Sequence, residues 1–120
     1  MIVRESEEMY LETILVLKNA NKRIRSIDIA NELGYSRPSV SRAVSLLVNN
    51  GYITISSNGE IEFTEKGQKK AEDVYERHQI ITRVLISLGA EEKLAEENAC
   101  RIEHVIDEEL MIVLKKYLNL

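Results

Sequence analysis

Residues Ser26 to Asn50 read SIDIANELGYSRPSVSRAVSLLVNN, and this stretch decides the fold. Apolar residues recur at helical spacing on both sides of Gly34, which predicts two helices joined by a tight turn. Ser36 can cap the second helix, and Pro38 suits its first turn. The pattern is that of a helix-turn-helix, whose second helix enters the DNA major groove by its N-terminal end.

The second of these helices is predicted to leave a polar, basic surface exposed. Arginine bonds guanine edges or phosphate, and serine hydroxyls reach either. The basic loop that ends at Arg25 is also placed to touch the DNA backbone. An ordinary helical hairpin is the alternative, but the β-hairpin signal that follows at once favours DNA binding. The exposed candidates are Ser36, Arg37, Ser39, Ser41, Arg42 and Ser45.

A β-hairpin is predicted directly after the helix-turn-helix. Two alternating runs, Tyr52 to Ser56 and Glu60 to Thr64, flank Asn58-Gly59, and Asn-Gly is the strongest short signal for a hairpin turn. A helix-turn-helix followed by a two-stranded hairpin is a winged helix. A helix from Ser6 to Asn19, capped by Ser6, is expected to precede it.

The rest of the chain is predicted to be helical. Thr64 can cap a helix from Glu65 to Leu88, which at about 1.5 Å per residue spans roughly 35 Å and so reaches a second module. Two further helices are predicted, from Glu91 to Ile102 and from Asp107 to Leu118. The last is apolar over a wide face, which a homodimer would bury.

Composition restricts the class of protein. The 120 residues suffice for one domain, or one small domain with an extension, and no apolar run approaches membrane length. No signal-peptide core begins the chain, so a cytoplasmic protein without a membrane partner is expected. The single cysteine, Cys100, excludes an intramolecular disulfide.

The charge is unevenly distributed. Residues 1–70 carry ten basic and nine acidic residues, whereas residues 71–120 carry six and eleven, within a net charge of −4. The nearly neutral half can bind DNA if its basic side chains point one way. Lys66, Lys69 and Lys70 either contact phosphate or are solvated. The acidic half indicates cation binding or, more commonly, an exposed helical surface.

The segment from Cys100 to His104 brings three metal-binding residue types close together. On a helix, Cys100, Glu103 and His104 stand at i, i+3 and i+4 and form one patch. Thiolate, carboxylate and imidazole suit a half-shell for a divalent transition metal. Taken alone, the segment fits a buried cysteine beside a surface Glu–His pair somewhat better.

Other donors lie on separate helices. His78 is predicted on the inner face of the long helix, where a lone histidine is more often a satisfied core residue. Met9 and Glu12 share a face of the first helix, although a lone methionine is normally core filler. Catalysis is not expected, because the chain has no glycine-rich phosphate loop and nothing orients Cys100 and His104 as a catalytic pair.

Together these residues resemble the metal-dependent repressor family of the diphtheria toxin repressor and the manganese transport repressor. The resemblance runs in order over nearly the whole chain. Without the family's third, SH3-like domain, the chain resembles the short form of the manganese branch. The matching stretches are Glu8 to Ile14, Asp28 to Leu33, Pro38 to Ser41, Leu47 to Tyr52, Thr64 to Gly67, Arg77-His78 and Ala99 to Val105.

The resemblance implies a fold, partners and a function. The expected fold is mainly α with a small β-hairpin: a winged helix-turn-helix DNA-binding domain over residues 1–70 and a helical dimerisation and metal-binding domain over residues 71–120. The expected homodimer binds a palindromic operator in double-stranded DNA when loaded with metal and represses metal-uptake genes. By resemblance, Pro38 joins Ser36, Ser39, Ser41 and Arg42 on the DNA-contacting face.

The ligand set that the resemblance implies is mixed. Met9, Cys100, Glu103 and His104 match the regulatory site of the iron branch. Glu12 matches a ligand of the manganese branch, where the iron branch has arginine.

By the same resemblance, the second metal site of the iron branch is expected to be weak, altered, or rebuilt from Glu12, His78 and Glu103. His78 matches one of its ligands, but Thr82 and Glu96 stand where that branch has Glu and His. Threonine is a poor ligand, whereas Glu96 can still bind a metal.

The sulfur donors favour Fe²⁺ over Mn²⁺, because they are softer than carboxylates. Co²⁺, Ni²⁺ and Zn²⁺ are expected to bind in vitro. The alternative is a metal-independent winged-helix regulator that senses another ligand, in which Cys100, His78 and His104 are structural.

Overall fold

The structure, a computed structural model, describes residues 2–21 and 23–119. It is mainly helical with one two-stranded antiparallel hairpin, which confirms the predicted fold class. The chain forms two compact units, Met1–Glu72 and Asp73–Leu120. No helix within the described ranges is long and apolar enough to cross a membrane. The elements are α1 (Ile2–Ala20), α2 (Ser26–Leu33), α3 (Arg37–Asn49), β1 (Ile53–Ile55), β2 (Ile61–Phe63), α4 (Glu65–Ser87), α5 (Glu92–Ile102) and α6 (Glu108–Leu118).

Helix α1 begins earlier than predicted. It starts at Ile2, so Ser6 lies inside the helix and the prediction that Ser6 caps it is wrong. Residues 2–5 contain neither glycine nor proline, so nothing in that segment breaks the helix. Leu11 and Ile14 have no exposed surface, and α1 packs against both α2 and α3.

The helix-turn-helix forms as the sequence predicts. Gly34 takes the left-handed conformation at φ 71°, and its N–H donates to the Ala30 carbonyl at 2.9 Å. The Ser36 hydroxyl oxygen accepts a hydrogen bond from the Ser39 N–H at 3.3 Å, which confirms the predicted cap of α3. The buried residues of the two helices are Ile29, Ala30, Val40, Val44 and Leu47.

The hairpin is attached to the loop that precedes α2. Its strands pair with Ile53 opposite Phe63 and Ile55 opposite Ile61. The Ile61 N–H donates to the Ile24 carbonyl at 2.8 Å, so the loop continues the hydrogen bonding of the hairpin. The wing is therefore held to the helix-turn-helix through its backbone.

The predicted turn at Asn58-Gly59 is confirmed, although the strands are shorter than predicted. The Ser56 N–H donates to the Glu60 carbonyl at 2.9 Å, and the Gly59 N–H donates to the Ser56 carbonyl at 2.9 Å. Gly59 takes φ 86°, a conformation that a side chain at this position would strain.

The start of α4 lies close to the backbone of the hairpin. The Thr64 hydroxyl oxygen accepts a hydrogen bond from the Gly67 N–H at 3.1 Å, which confirms the predicted cap. A Cβ atom on Gly67 would lie 1.8 Å from the Tyr52 carbonyl oxygen, so only glycine fits here.

The C-terminal unit has its own apolar core between α4, α5 and α6. Asp107 caps α6, because its carboxylate accepts a hydrogen bond from the Leu110 N–H at 2.9 Å. Lys115 of α6 forms an ion pair with Glu76 of α4 at 3.2 Å. The buried core residues are Ile80, Ile81, Ala99, Ile106 and Met111, with Leu85, Ile102, Leu114 and Leu118 packed against them.

Candidate metal centre and nucleic-acid interface

The start of α3 carries most of the predicted DNA-contacting side chains on one exposed surface. Ser36, Arg37, Pro38, Ser41 and Arg42 are exposed, and Ser39 is half-buried. The Ser39 hydroxyl accepts a hydrogen bond from Arg42 Nη2 at 3.4 Å and one from the Ser36 hydroxyl at 2.9 Å. The arginine is thereby held near the cap of the helix, where a recognition helix presents its base-reading residues.

Arg25 connects the start of α2 to the tip of the wing. Its Nε donates to the Asn58 carbonyl at 2.9 Å, and its backbone N–H donates to the Asp28 carboxylate at 2.8 Å. The side chain is exposed. It therefore positions the wing as well as offering a cation to DNA.

Two lysines of α4 have partners that the sequence did not reveal. Lys66 Nζ donates to the Asn50 carbonyl at 2.8 Å and lies 4.5 Å from the centre of the Tyr52 ring. Lys70 Nζ bonds Glu7 of α1 at 3.1 Å and the Tyr52 hydroxyl at 3.3 Å. Although partial burial of Lys70 opposes protonation, these hydrogen bonds raise its pKa. Both ammonium groups therefore make contacts within the N-terminal unit. The sequence predicted only that these lysines contact phosphate or are solvated.

Glu103 is the centre of the candidate metal site. Its side chain has no exposed surface, and its Oε1 lies 2.6 Å from Nδ1 of His78. Its Oε2 lies 3.6 Å from Nε2 of His104 and, among the residues that the structure describes, has no hydrogen-bond partner. A buried carboxylate oxygen without a partner is costly, and a bound cation would remove that cost.

The His78 imidazole is more basic than usual. Its hydrogen bond to the Glu103 carboxylate raises the pKa of His78, partial burial opposes the shift, and the Glu103 and Glu96 charges add to it. The hydrogen bond therefore stabilises the protonated form of His78 beside Glu103.

Cys100 is placed differently from the prediction. Helix α5 ends at Ile102, where the N–H groups of Val105 and Ile106 both reach the Ile102 carbonyl at 3.0 Å. His104 therefore lies in a turn beyond the helix, and Cys100 is exposed whereas Glu103 and His104 are buried. The alternative of a buried cysteine beside a surface Glu–His pair is therefore wrong, whereas the metal-binding patch that includes Cys100 stays a prediction.

His78, Thr82 and Glu96 line one cleft of the C-terminal unit. The Thr82 hydroxyl is buried and, within the described ranges, has no hydrogen-bond partner. Glu96 is exposed. The cleft thus brings these three together but offers a neutral hydroxyl where a strong ligand would be needed.

Met9 and Glu12 are half-buried on α1 in the N-terminal unit. The Met9 sulfur lies 3.9 Å from the Tyr35 hydroxyl. Their role as metal ligands stays a prediction.

The donor set fits a divalent transition metal. Imidazole nitrogen and carboxylate oxygen bind Mn²⁺, Fe²⁺ and Zn²⁺, and one oxygen of the fully buried Glu103 carboxylate makes no hydrogen bond to any described residue. The winged helix and this donor set together define a class, the metal-responsive DNA-binding regulators.

Comparison with known sequences supports that class. Residues 2–60 match the family described as "Iron dependent repressor, N-terminal DNA binding domain", and residues 64–120 match "Iron dependent repressor, metal binding and dimerisation domain". The chain therefore belongs to the iron-dependent repressor family of metal-dependent transcriptional regulators.

Individual relatives agree with this family. An uncharacterized HTH-type transcriptional regulator of Methanocaldococcus jannaschii is 33% identical over 117 residues, covering 96% of this chain and 94% of the relative. The iron-dependent repressor IdeR of Mycobacterium tuberculosis is 34% identical over 116 residues, covering 96% of this chain and 50% of IdeR. The structure of the manganese regulator SloR superposes with a TM-score of 0.83 at 28% identity, over 94% of this chain and 53% of SloR. The chain thus spans about half the length of IdeR and of SloR.

Proposed function

We propose that this chain is a DNA-binding transcriptional repressor for which a divalent transition metal, Fe²⁺ in preference to Mn²⁺, is the corepressor. The observation that carries the proposal is the Glu103 carboxylate, which is fully buried beside two imidazoles and has one oxygen that makes no hydrogen bond in the described part of the chain. Such a group is a poor structural element but a good ligand.

His78, Glu103 and His104 are the first three residues proposed to bind the metal. The Glu103 carboxylate would bind a divalent cation through the oxygen that makes no hydrogen bond in the described part of the chain. His78 would bind it only as the neutral imidazole, because a protonated ring nitrogen is no ligand. The proposed set also keeps the predicted donors Met9, Glu12, Glu96 and Cys100.

The preference for iron rests on sulfur. Met9 and Cys100 offer a thioether and a thiolate, which are softer donors than carboxylates and favour Fe²⁺ over the harder Mn²⁺. IdeR is named for iron and SloR for manganese, so the relatives do not distinguish the two metals. The proposed preference for Fe²⁺ therefore follows from the donor atoms of this chain. Co²⁺, Ni²⁺ and Zn²⁺ are expected to substitute in vitro, since Co²⁺ and Ni²⁺ follow Fe²⁺ in the order of intrinsic affinity and Zn²⁺ suits the same imidazole and carboxylate ligands.

The proposed target is a palindromic operator bound by a homodimer that controls metal-uptake genes. Support for the dimer comes from the exposed apolar side chains of α6. A two-fold dimer presents its two recognition helices to half-sites about one helical turn apart or a multiple of it. The side chains in question are Leu110, Ile112, Val113 and Tyr117.

Regulation is proposed to be a population shift. The metal needs a higher affinity for the DNA-competent state, typically by ~1–3 kcal/mol, and the operator must then tighten metal binding by the same factor.

Selection from a random double-stranded DNA library tests this proposal. The metal-free protein is incubated anaerobically with the library, once with Fe²⁺ and once with a chelator, and the retained sequences are compared. Enrichment of a palindrome only with metal is the expected result. Equal enrichment under both conditions would leave a metal-independent winged-helix regulator instead.

A further inference from the structure

We propose that Tyr35 is a positioning residue that couples the Met9 sulfur to the recognition helix. The inference rests on the proposed function, because it takes Met9 as one of the metal ligands. Both residues lie in the N-terminal unit, and their contact joins α1 to the turn of the helix-turn-helix.

Tyr35 touches α1 at two successive residues. Its hydroxyl donates to the Met9 sulfur at 3.9 Å, and its ring meets the Tyr10 ring edge-on, with centroids 6.4 Å apart. The Tyr10 ring is buried whereas Tyr35 is 45% exposed, so the contacts with Tyr10 and Met9 are what join the Tyr35 side chain to α1.

The same residue belongs to the turn that starts the recognition helix. Tyr35 stands between Gly34, which takes φ 71°, and Ser36, the cap of α3. Its backbone N–H donates to the Ala30 carbonyl at 3.3 Å. A displacement of the Tyr35 side chain therefore acts on the first residues of α3, which carry Arg37 and Arg42.

The chemistry of the sulfur makes this contact dependent on metal. A thioether is a weak hydrogen-bond acceptor, and donation of its electrons to a metal ion weakens it further. The Tyr35 hydroxyl bond thus favours the metal-free arrangement and is lost, or loosened, when the sulfur becomes a ligand. A contact that differs between two states is what a metal-driven population shift requires.

The test compares Tyr35→Phe with the wild-type protein. Phenylalanine keeps the ring against Tyr10 and removes only the hydroxyl. Fe²⁺ affinity is measured anaerobically by competition with a chromophoric chelator, with and without an operator duplex obtained by the selection above. The ratio of the two dissociation constants is the coupling factor, which a residue with a purely structural role would leave unchanged.

The expected result is a coupling factor reduced by about threefold or more in Tyr35→Phe, with slightly tighter metal binding in the absence of DNA. In a Met9→Leu background, adding Tyr35→Phe should change nothing further, because the partner sulfur is gone. Tyr52→Phe, which removes a hydroxyl bonded to Lys70 instead, serves as the matched control and should keep the wild-type factor.

A wild-type coupling factor in Tyr35→Phe would overturn the inference while leaving the proposed function intact. The inference would also be overturned if Tyr35→Phe changed the coupling factor equally in the wild-type and Met9→Leu backgrounds. The hydroxyl would then act through a group other than the Met9 sulfur. If the wild-type protein bound the operator with the same affinity with and without metal, the proposed function would be contradicted. The inference about Tyr35 would then fail with it.

Discussion

The Nδ1 atom of His78 lies 2.6 Å from Oε1 of Glu103, whose side chain has no exposed surface. The two residues come from α4 and from the end of α5, so their contact ties these elements together within the C-terminal unit. Their hydrogen bond raises the pKa of His78 and so stabilises the protonated imidazole, and a divalent cation in place of that proton would add one further positive charge to the pair.

Replacing Glu103 by glutamine should weaken metal binding. Glu103→Gln keeps the volume and removes the negative charge that the proposed metal needs. We expect Fe²⁺ affinity to fall at least about tenfold, which corresponds to ~1.4 kcal/mol. Anaerobic calorimetry of the metal-free protein measures it. Glu97→Gln, an exposed position of α5, is the control, and equal affinity in both variants would remove Glu103 from the site.

The His78–Glu103 pair predicts a pH dependence of stability in the metal-free protein. Because the hydrogen bond to Glu103 raises the pKa of His78, its stabilisation is fully present below the ordinary pKa of 6.5 and is lost as pH rises through the raised value. Urea unfolding with a chelator should show wild type more stable than His78→Gln by roughly 1.5–3 kcal/mol at the acidic end. The difference should shrink toward alkaline pH, and a constant difference would refute the charge pairing.

Replacing Cys100 by aspartate should shift metal selectivity toward Mn²⁺. Cys100 is exposed, so the substitution disturbs no core packing. The carboxylate is a harder donor than the thiolate, and the ratio of Mn²⁺ to Fe²⁺ dissociation constants should fall. Competition titrations with both metals give this ratio, and Cys100→Ser serves as the control that lacks either donor. An unchanged ratio would show that the thiol does not bind the metal.

Replacing Gly67 by alanine should destabilise the protein more than the same replacement of Gly34. A Cβ atom at this position would lie 1.8 Å from the Tyr52 carbonyl oxygen, so Gly67→Ala must separate α4 from the hairpin. We expect a loss of at least about 3 kcal/mol in the free energy of unfolding. Gly34→Ala meets no atom within 4 Å and strains only φ, which costs about 1–2 kcal/mol. Denaturant unfolding compares the two, and equal losses would argue against the close approach.

Removing Arg42 should weaken operator binding without unfolding the protein. Its guanidinium is exposed and held by Ser39 at the start of α3. We expect Arg42→Ala to lose about 1–3 kcal/mol of affinity for operator DNA. Lys93→Ala removes the same charge from an exposed position of α5 and should have little effect. If both variants lost affinity equally, net charge rather than Arg42 would account for the loss.

Local features of the fold could be predicted from the sequence. Gly34, Ser36 and Thr64 act on backbone groups within a few residues, so their types and spacing suffice to place the helix ends. The hairpin turn at Gly59 follows from the same local chemistry. The end of α5 at Ile102 agrees with the predicted helix, although the sequence does not show that Glu103 and His104 lie in a turn beyond it.

Contacts between distant residues could not be predicted. Lys70 and Glu7 are 63 positions apart, and Tyr35 and Met9 are 26 apart. Charge and residue type alone are compatible with many partners at such separations. For the candidate metal site, the sequence identified Glu103, His104 and His78 as donors, whereas the contact between His78 and Glu103 emerged only from the packing of α4 against α5.

Fluorescence anisotropy of a labelled palindromic operator tests the central claim most directly. The protein is prepared metal-free and anaerobic, and DNA binding is measured with a chelator and then during separate titrations with Fe²⁺ and Mn²⁺. We expect tight binding only with metal, and a lower midpoint for Fe²⁺ than for Mn²⁺. Equal binding with chelator and with either metal would contradict it and leave a winged-helix protein that metal does not control.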